Sequence, residues 1–189
     1  MLRAQYSDKK LIVGILLDSF SDNKSVNYII TQDASRLNRI KKLMEYSFEK
    51  CYLFGEIYLS DDKNACALLM LPENKKKSIK SLWLDTKFAL LCLGLSNSKK
   101  TMAREAKIKA AHPDLSMYYL WFIGVNHSQQ QKGIGSNLLN EIINAAESQN
   151  KIICLETSTV KNIPWYKKYG FTIYKELDFG YRLFCLKRE

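Results

Sequence analysis

Two spacings of hydrophobic residues separate helices from strands in the first half of the chain. Apolar residues recur every three to four positions over residues 11–20 and again from Asp33 to residue 51, which predicts two helices with one buried face each. Residues 52–59 and 64–71 are instead short apolar runs, and the polar turn between them favours an antiparallel hairpin. Before and between these elements, the sequence predicts a short first strand over residues 2–6 and a loop over residues 21–25.

The middle of the chain, residues 78–111, has a helical pattern with a break predicted at residues 94–97. Its first half is apolar on nearly every side, with Ile79, Leu82, Trp83, Phe88 and Leu91. A helix of this kind is either buried in the core or lines a pocket. The sequence leaves both interpretations open.

The last third alternates strands with helices. Residues 117–125 are aromatic and β-branched, which predicts a central strand. The elements predicted after it are a helix at 133–148, a strand at 152–155, a short helix at 162–169 and strands near 171–176 and 181–186. This alternation predicts an α/β chain, and 189 residues fit a single domain over residues 1–189.

Composition narrows the classes of protein. No apolar run approaches the roughly 20 residues of a membrane-spanning helix, and the first residues lack the pattern of a signal peptide, so we expect a cytoplasmic protein without membrane contact. The five cysteines are odd in number and show no C-x-x-C spacing, and there are two histidines. We therefore expect reduced, buried thiols and no metal site.

The net charge of +10, from 29 basic and 19 acidic residues, raises the question of a polyanionic partner. The basic residues are spread along the chain, with their densest runs at residues 75–77 and 99–100. Nucleic-acid binding would need clustered basic residues with exposed aromatics. We expect no nucleic-acid partner, because a small polyphosphate fits the spread charge better.

A glycine-bearing loop between the predicted central strand and the next helix carries candidate chemistry. Gly133 and Gly135 stand at the start of that helix, where free backbone N–H groups and the helix dipole favour an anion such as phosphate. A tight turn without a ligand would show the same two glycines. A dinucleotide-binding loop fits poorly, because Leu138 stands where the third glycine of G-x-G-x-x-G is required.

The surrounding motifs resemble the GNAT superfamily of acetyltransferases over residues 112–186. The loop Gln130-Gln131-Lys132-Gly133-Ile134-Gly135 is similar to that family's Q/R-x-x-G-x-G/A, although Gln131 replaces a common glycine and His127 a common proline. Leu155-Glu156-Thr157-Ser158, then Asn162, then Trp165-Tyr166-Lys167-Lys168-Tyr169-Gly170-Phe171 resemble the family's following strand, asparagine and YxxxGF signature. Within the family, this combination looks closest to puromycin-acetyltransferase-like members.

The resemblance implies a fold and a cofactor site. The fold would be α/β (α+β), a GNAT-like mixed, largely antiparallel central sheet flanked by helices, with an acetyl-CoA-binding core at about residues 117–175. Backbone groups of Ile123, Gly124 and Val125 would bind the pantetheine arm, although Gly124 could also be a β-bulge. The phosphates would lie on Gln130, Gln131, Lys132, Gly133, Ile134, Gly135 and Ser136. Asn162 would bind the cofactor through its amide, and it also suits a helix cap.

The resemblance also implies catalytic roles. Tyr166 would be the general acid, because a phenol stays protonated at neutral pH and can give a proton to the departing thiolate; Tyr169 is the alternative, and packing is the other use of such an aromatic. Glu156 is the leading candidate for the general base, His112 is the second, and a chain of waters is a third route. Glu156 could instead be a solvent-facing or structural glutamate, and for His112 a capping or core position is the more common role.

We therefore expect direct transfer of an acetyl group from acetyl-CoA to a primary amine of a small molecule or peptide, with a homodimer as a further possibility. The alternatives are a transferase for a longer acyl group and a catalytically silent acyl-CoA-binding or regulatory module. The acceptor site would be built from residues 20–30 and 78–112, where no motif identifies the amine.

Overall fold

The computed structural model of the protein describes residues 1–74, 76 and 78–189, with the backbone alone at residues 94–96. The strands are β1 (Leu2–Arg3), β2 (Gly55–Leu59), β3 (Ala65–Met70), β4 (Met117–Val125), β5 (Ile152–Thr157), β6 (Thr172–Asp178) and β7 (Arg182–Arg188). The helices are α1 (Lys9–Phe20), α2 (Lys24–Ile29), α3 (Arg36–Phe54), α4 (Ile79–Phe88), α5 (Gly94–Ala111), α6 (Ile134–Ser148) and α7 (Ile163–Lys168). A π-helical turn at Ala89–Leu93 joins α4 to α5.

The strands form one sheet in the order β1-β2-β3-β4-β5-β7-β6. Neighbouring strands are antiparallel except β4 and β5, which are parallel. Strand β3 is buried along its whole length because helices cover both faces of the sheet. Its alternate residues Cys66 and Leu68 pack into a core with α1 and α3, whereas Ala67 and Leu69 pack into a second core with α6. The expected mixed, largely antiparallel sheet flanked by helices is confirmed.

Most predicted elements are present, and the central strand has the predicted bounds. Three local predictions are wrong. Helix α2 begins at Lys24, within the loop predicted over residues 21–25, since the side chain of Asn23 accepts a hydrogen bond from the Val26 N–H at 3.1 Å and caps a new helix. Helix α3 continues to Phe54, into the segment predicted to start the hairpin. The backbone at residues 94–97 is helical, and the irregularity lies one turn earlier, in the π-helical turn.

The apolar first half of the 78–111 segment is not a buried helix. Ile79 is 91% exposed, and Leu82, Trp83 and Leu91 are exposed as well, because α4 packs its covered side on α3 and leaves the rest of its surface open. Phe88, by contrast, faces the cleft described below. Of the predicted lysine run, residues 75 and 77 lie outside the described residues.

All five cysteines are unpaired and buried, as predicted. Burial raises the pKa of the Cys92 thiol to about 11, so this thiol stays protonated at neutral pH. Among the described residues, no helix combines the length and the apolar character needed to cross a membrane.

Candidate active site

The parallel strands β4 and β5 separate at the centre of the sheet. They pair from Met117 to Tyr119 on β4 and from Ile152 to Cys154 on β5, and the pairing then stops although both strands continue. A cleft of about 1470 Å³ opens at this point. Its walls come from the end of α1, helices α2 and α5, the separated ends of β4 and β5, and the loop that leads into α6.

The edge of β4 that has separated from β5 presents the peptide groups of alternate residues to this cleft, and the Val125 carbonyl there accepts hydrogen bonds from Ser19 Oγ at 3.2 Å and Gln130 Nε2 at 3.4 Å. The Asn126 N–H donates to the Asn64 carbonyl of the β3 side at 2.8 Å. Because peptide groups alternate in direction along a strand, those of Gly124 also face β3, and those of Ile123 and Val125 face away from it, towards the separated β5. Two of the three residues expected to bind a ligand through the backbone therefore have groups directed at the cleft.

Gly124 has a packing role instead. A Cβ atom there would lie 3.0 Å from Ser19 Oγ and 3.2 Å from Leu16 Cδ2, so the glycine lets α1 approach β4 closely. The alternative that Gly124 forms a bulge is wrong, because Gly124 is in register with Cys66. The register shift lies earlier in β4, at Trp121.

The loop before α6 exposes the start of that helix. Gly133 is the N-cap residue with φ +82°, and no side chain of the described residues caps the helix, so its first N–H groups are open to a ligand. Gln131, which stands where the family commonly has glycine, also adopts a left-handed conformation with φ +64°. Glycine is required at position 135 for a different reason. A Cβ atom there would lie 2.9 Å from Val125 Cγ2, and the lack of a Cβ lets α6 start beside β4.

The other loop residues differ in position. Gln130, Ile134 and Ser136 line the cleft together with Gln131, Gly133 and Gly135. Lys132 is exposed outside this lining, and its Nζ donates to Gln129 Oε1 at 2.8 Å. Ser136 Oγ accepts a hydrogen bond from Trp165 Nε1 at 2.9 Å, which ties the start of α6 to α7.

Two candidate residues on the opposite wall have uncommitted polar groups. Asn162 occupies the N-cap position of α7, yet its side chain caps nothing and lines the cleft, so the simple capping interpretation is wrong. Tyr166 is 6% exposed, and its ring packs on Trp165 and Phe171. Its hydroxyl has no hydrogen-bond partner among the described residues. Burial raises the pKa of Tyr166, which keeps the phenol protonated.

The two candidate bases lie in contact. Nε2 of His112 is 2.9 Å from Oε1 of Glu156, and the Tyr119 hydroxyl donates to Oε2 of Glu156 at 2.6 Å. The side chain of Glu156 is almost fully buried, whereas that of His112 is more open. Burial and the nearby Glu156 carboxylate raise the pKa of Tyr119 well above its usual value, so Tyr119 stays a hydrogen-bond donor.

One face of α5 forms the far wall of the cleft. Its lining residues recur at helical spacing: Thr101, Arg104, Glu105, Ile108, Lys109 and, just after the helix, His112. Phe20 to Val26 line the facing side, so parts of both regions expected to build the acceptor site do lie on the cleft. The sequence analysis did not identify Tyr119, Thr101 and Arg104 as site residues. The helical spacing from Thr101 to His112 could have indicated the two α5 residues, whereas nothing in the local sequence identifies Tyr119.

Comparison with known proteins finds similarity to acetyltransferases. Residues 101–173 match the family model described as "Acetyltransferase (GNAT) domain". A curated relative, an uncharacterized N-acetyltransferase of Schizosaccharomyces pombe, is 24% identical over 189 residues, an alignment that covers 89% of this chain and 72% of that protein.

Solved structures share the fold along the whole chain. The structure described as histone acetyltransferase HPA2 and related acetyltransferase, from Corynebacterium glutamicum, has a TM-score of 0.70 at 19% identity and covers 99% of this chain and 93% of that one. Arylalkylamine N-acetyltransferase 2 from Aedes aegypti has a TM-score of 0.65 at 12% identity and covers 99% of this chain and 96% of that one. At these identities the similarity shows the fold.

Proposed function

We propose that this chain, a GNAT-domain acetyltransferase, moves the acetyl group of acetyl-CoA directly to a primary amine. The observation that carries the proposal is the separation of β4 from β5 beside the uncapped start of α6. This arrangement would offer a strand edge and an anion site on one cleft, with a phenol and a histidine–carboxylate pair on its walls.

The cleft suits the parts of acetyl-CoA, which supplies an acetyl group activated as a thioester. The peptide groups of Ile123 and Val125 would pair with the amides of the pantetheine arm, as an added strand would. The start of α6, from Gly133 to Ser136, together with Gln130 and Gln131, would take the phosphates through backbone N–H groups. The free amide of Asn162 would bind the arm from the other wall. Gly124 would contribute by close packing, and Lys132 has no direct role in this proposal.

His112 and Glu156 would act together on the acceptor amine. When neutral His112 donates its Nε2–H to Glu156, Nδ1 keeps a lone pair that can take a proton from the incoming ammonium. Glu156 would fix the orientation of the ring and stabilise the charge that the ring gains. This assigns the proton transfer to His112 and makes Glu156 its positioning partner, which reverses the order expected from the sequence.

Tyr166 would serve the leaving group. The amine nitrogen bonds to the acetyl carbon as the carbon–sulfur bond breaks, and the electron pair leaves on sulfur. The unpartnered hydroxyl of Tyr166 can donate its proton to that sulfur, and the resulting phenolate would take the second proton that the nitrogen loses as it becomes an amide. The cysteines have no part in this scheme, because the transfer needs no covalent enzyme intermediate.

The test is thiol release from acetyl-CoA in the presence of a panel of amines that includes alkylamines, polyamines, peptides and puromycin, the last because residues 156–171 resemble puromycin-acetyltransferase-like members. We expect release with at least one amine and formation of its acetylated product by mass spectrometry. Propionyl-CoA and longer thioesters in parallel would reveal a preference for a longer acyl group. Calorimetry that detects no binding at millimolar CoA would contradict the proposal, and binding without turnover of any amine would favour a silent acyl-CoA-binding module.

Two further predictions concern the protein as a whole. We propose a cytoplasmic location, and a homodimer is a further possibility. Cell fractionation tests the first, and sedimentation velocity tests the second.

A further inference from the structure

A buried arginine lies on the acceptor side of the cleft. Arg104 is 8% exposed and lines the cleft. Its Nε donates to the Tyr181 hydroxyl at 2.9 Å, and its terminal nitrogens contact Ser25 Oγ and the carboxylate of Glu105. Ser25 and Tyr181 hold the guanidinium in place without neutralising it. A buried guanidinium fixed in this way is suited to binding a carboxylate, which it can contact through two parallel hydrogen bonds.

The carboxylate now beside Arg104 is a weak occupant. Glu105 is the next residue in the chain, and its side chain is about half exposed. An ion pair with so exposed a partner contributes little stability, because water competes for both charges. The position beside the guanidinium is therefore available to a carboxylate that enters the cleft and displaces Glu105.

An independent observation indicates a ligand at the same place. Thr101 lies one helical turn before Arg104, also lines the cleft and is 5% exposed. Its Oγ1 is buried and has no hydrogen-bond partner among the described residues. A buried hydroxyl without a partner costs free energy, and because Thr101 is part of the cleft wall, a ligand group bound there can supply the missing partner.

We propose that Arg104 and Thr101 together bind a carboxylate of the acceptor, so that the substrate is an amine that also carries a carboxylate. The hydroxyl of Thr101 and the guanidinium of Arg104 both donate, and a carboxylate only accepts. This inference rests on the proposed function, because the amine would lie at His112 while the carboxylate lies at Arg104.

The spacing along α5 sets the length of the acceptor. Arg104 and His112 are eight positions apart, which corresponds to about 12 Å along a helix axis. An extended chain spans about 3.3–3.6 Å per residue, so an acceptor that spans these two backbone positions is about three to four residues long. A short peptide with a free C-terminus meets this requirement, and a single α-amino acid is too short.

The experiment compares matched acceptors that differ in charge and length. Triglycine and its C-terminal amide, with glycine and glycinamide as the short pair, are assayed with acetyl-CoA for kcat and KM. We expect triglycine to have a kcat/KM about 10-fold or more above that of its amide, the usual effect of hydrogen bonds to a charged group, and the short pair to show no such preference.

Three variants locate the preference. Thr101→Val removes the hydroxyl at nearly constant volume, breaks no hydrogen bond within the described residues, and should raise the KM for triglycine while the protein stays as stable as wild type. Arg104→Gln should abolish the preference for the carboxylate over the amide. Glu105→Gln removes the competing carboxylate and should lower the KM for triglycine. Lys41→Gln, on the exposed surface of α3, removes one positive charge as Arg104→Gln does and should leave the preference intact.

The outcomes separate this inference from the proposed function. Acetylation of amines with equal kcat/KM for triglycine and its amide would overturn the carboxylate site and leave the proposed function standing. If no amine is acetylated, calorimetry of triglycine with the CoA-bound protein still decides: binding that weakens in Thr101→Val supports the site, and absence of binding overturns it.

Discussion

The imidazole of His112 and the carboxylate of Glu156 lie 2.9 Å apart although 44 positions separate them in the chain. One residue follows α5, and the other lies in β5 where that strand leaves β4. The contact joins the acceptor wall of the cleft to the strand that borders the proposed pantetheine site. A base at this junction can reach an amine bound on one side and a thioester bound on the other.

We expect substitutions at the two residues of this pair to lower kcat by different amounts. His112→Gln removes the base and should lower kcat by about 10²–10⁴-fold, the usual contribution of a general base, with little change in CoA affinity. Glu156→Gln should lower kcat less, because the amide can still hold the ring but no longer stabilises its positive charge. Steady-state kinetics with the best acceptor and calorimetry of CoA binding provide the measurement. A purely structural pair would instead lower the melting temperature and the CoA affinity together.

Tyr166→Phe tests the proposed general acid. The phenyl ring is kept, so its packing on Trp165 and Phe171 should persist. If the hydroxyl acts mainly in the transition state, kcat should fall by about 10²–10⁴-fold while CoA affinity stays nearly intact. Tyr169→Phe is the matched control, because Tyr169 was the alternative candidate. Full activity of Tyr166→Phe with the best acceptor would remove this tyrosine from the mechanism.

Gly133→Val tests the phosphate site at the start of α6. A Cβ atom at this position meets no protein atom within 4 Å. The substitution should therefore destabilise the free protein mainly through the left-handed backbone conformation, by about 1–2 kcal/mol. The added side chain would occupy the space proposed for phosphate, and calorimetry should show weakened CoA binding. Gly14→Ala is the control, because it also fills open space but lies within α1; it should add up to about 1 kcal/mol of stability and leave CoA affinity unchanged. Unchanged CoA affinity in folded Gly133→Val would show that the loop is only a turn.

Glu49 should make stability depend on acidic pH. Burial alone would raise the pKa of Glu49, but hydrogen bonds from Lys9 Nζ at 2.7 Å and the Tyr6 hydroxyl at 2.6 Å outweigh it and hold this pKa below the ordinary value. A carboxyl with a lowered pKa stabilises the fold above its unfolded pKa, about 4.3, and this contribution is lost as the pH falls through the folded pKa. Glu49→Gln should therefore lower the free energy of unfolding, measured in urea, by about 1–3 kcal/mol at pH 7 and by much less near pH 3.

The control for that experiment is Asp114→Asn, a change at an exposed carboxylate. It should alter the free energy of unfolding little at either pH. An equal cost of Glu49→Gln at both pH values would show that the charge of Glu49 contributes nothing and that its shape alone matters.

The sequence by itself determined the elements and the loop. Apolar periodicity is a local property, and it placed α3, α6 and the central strand because each must bury one face or both. The glycines of the loop before α6 were equally readable, since Gly133 is required by its positive φ and Gly135 by its contact with β4. Apolar periodicity did not predict α2, whose start depends on a single capping residue, Asn23.

Only the tertiary structure decided which polar groups meet. Whether β4 and β5 stay paired depends on the packing of the whole sheet, and the contacts of Glu156 with His112 and Tyr119 depend on where β5 and α5 lie in space. A helix with apolar residues on every side does not reveal which side the fold covers, and α4 proved to be open on most of its surface. Long-range contacts bring these groups together, whereas the local pattern of apolar residues records only which side of each element avoids water. For that reason the sequence offered Glu156 and His112 as separate candidates, and the fold made them a pair.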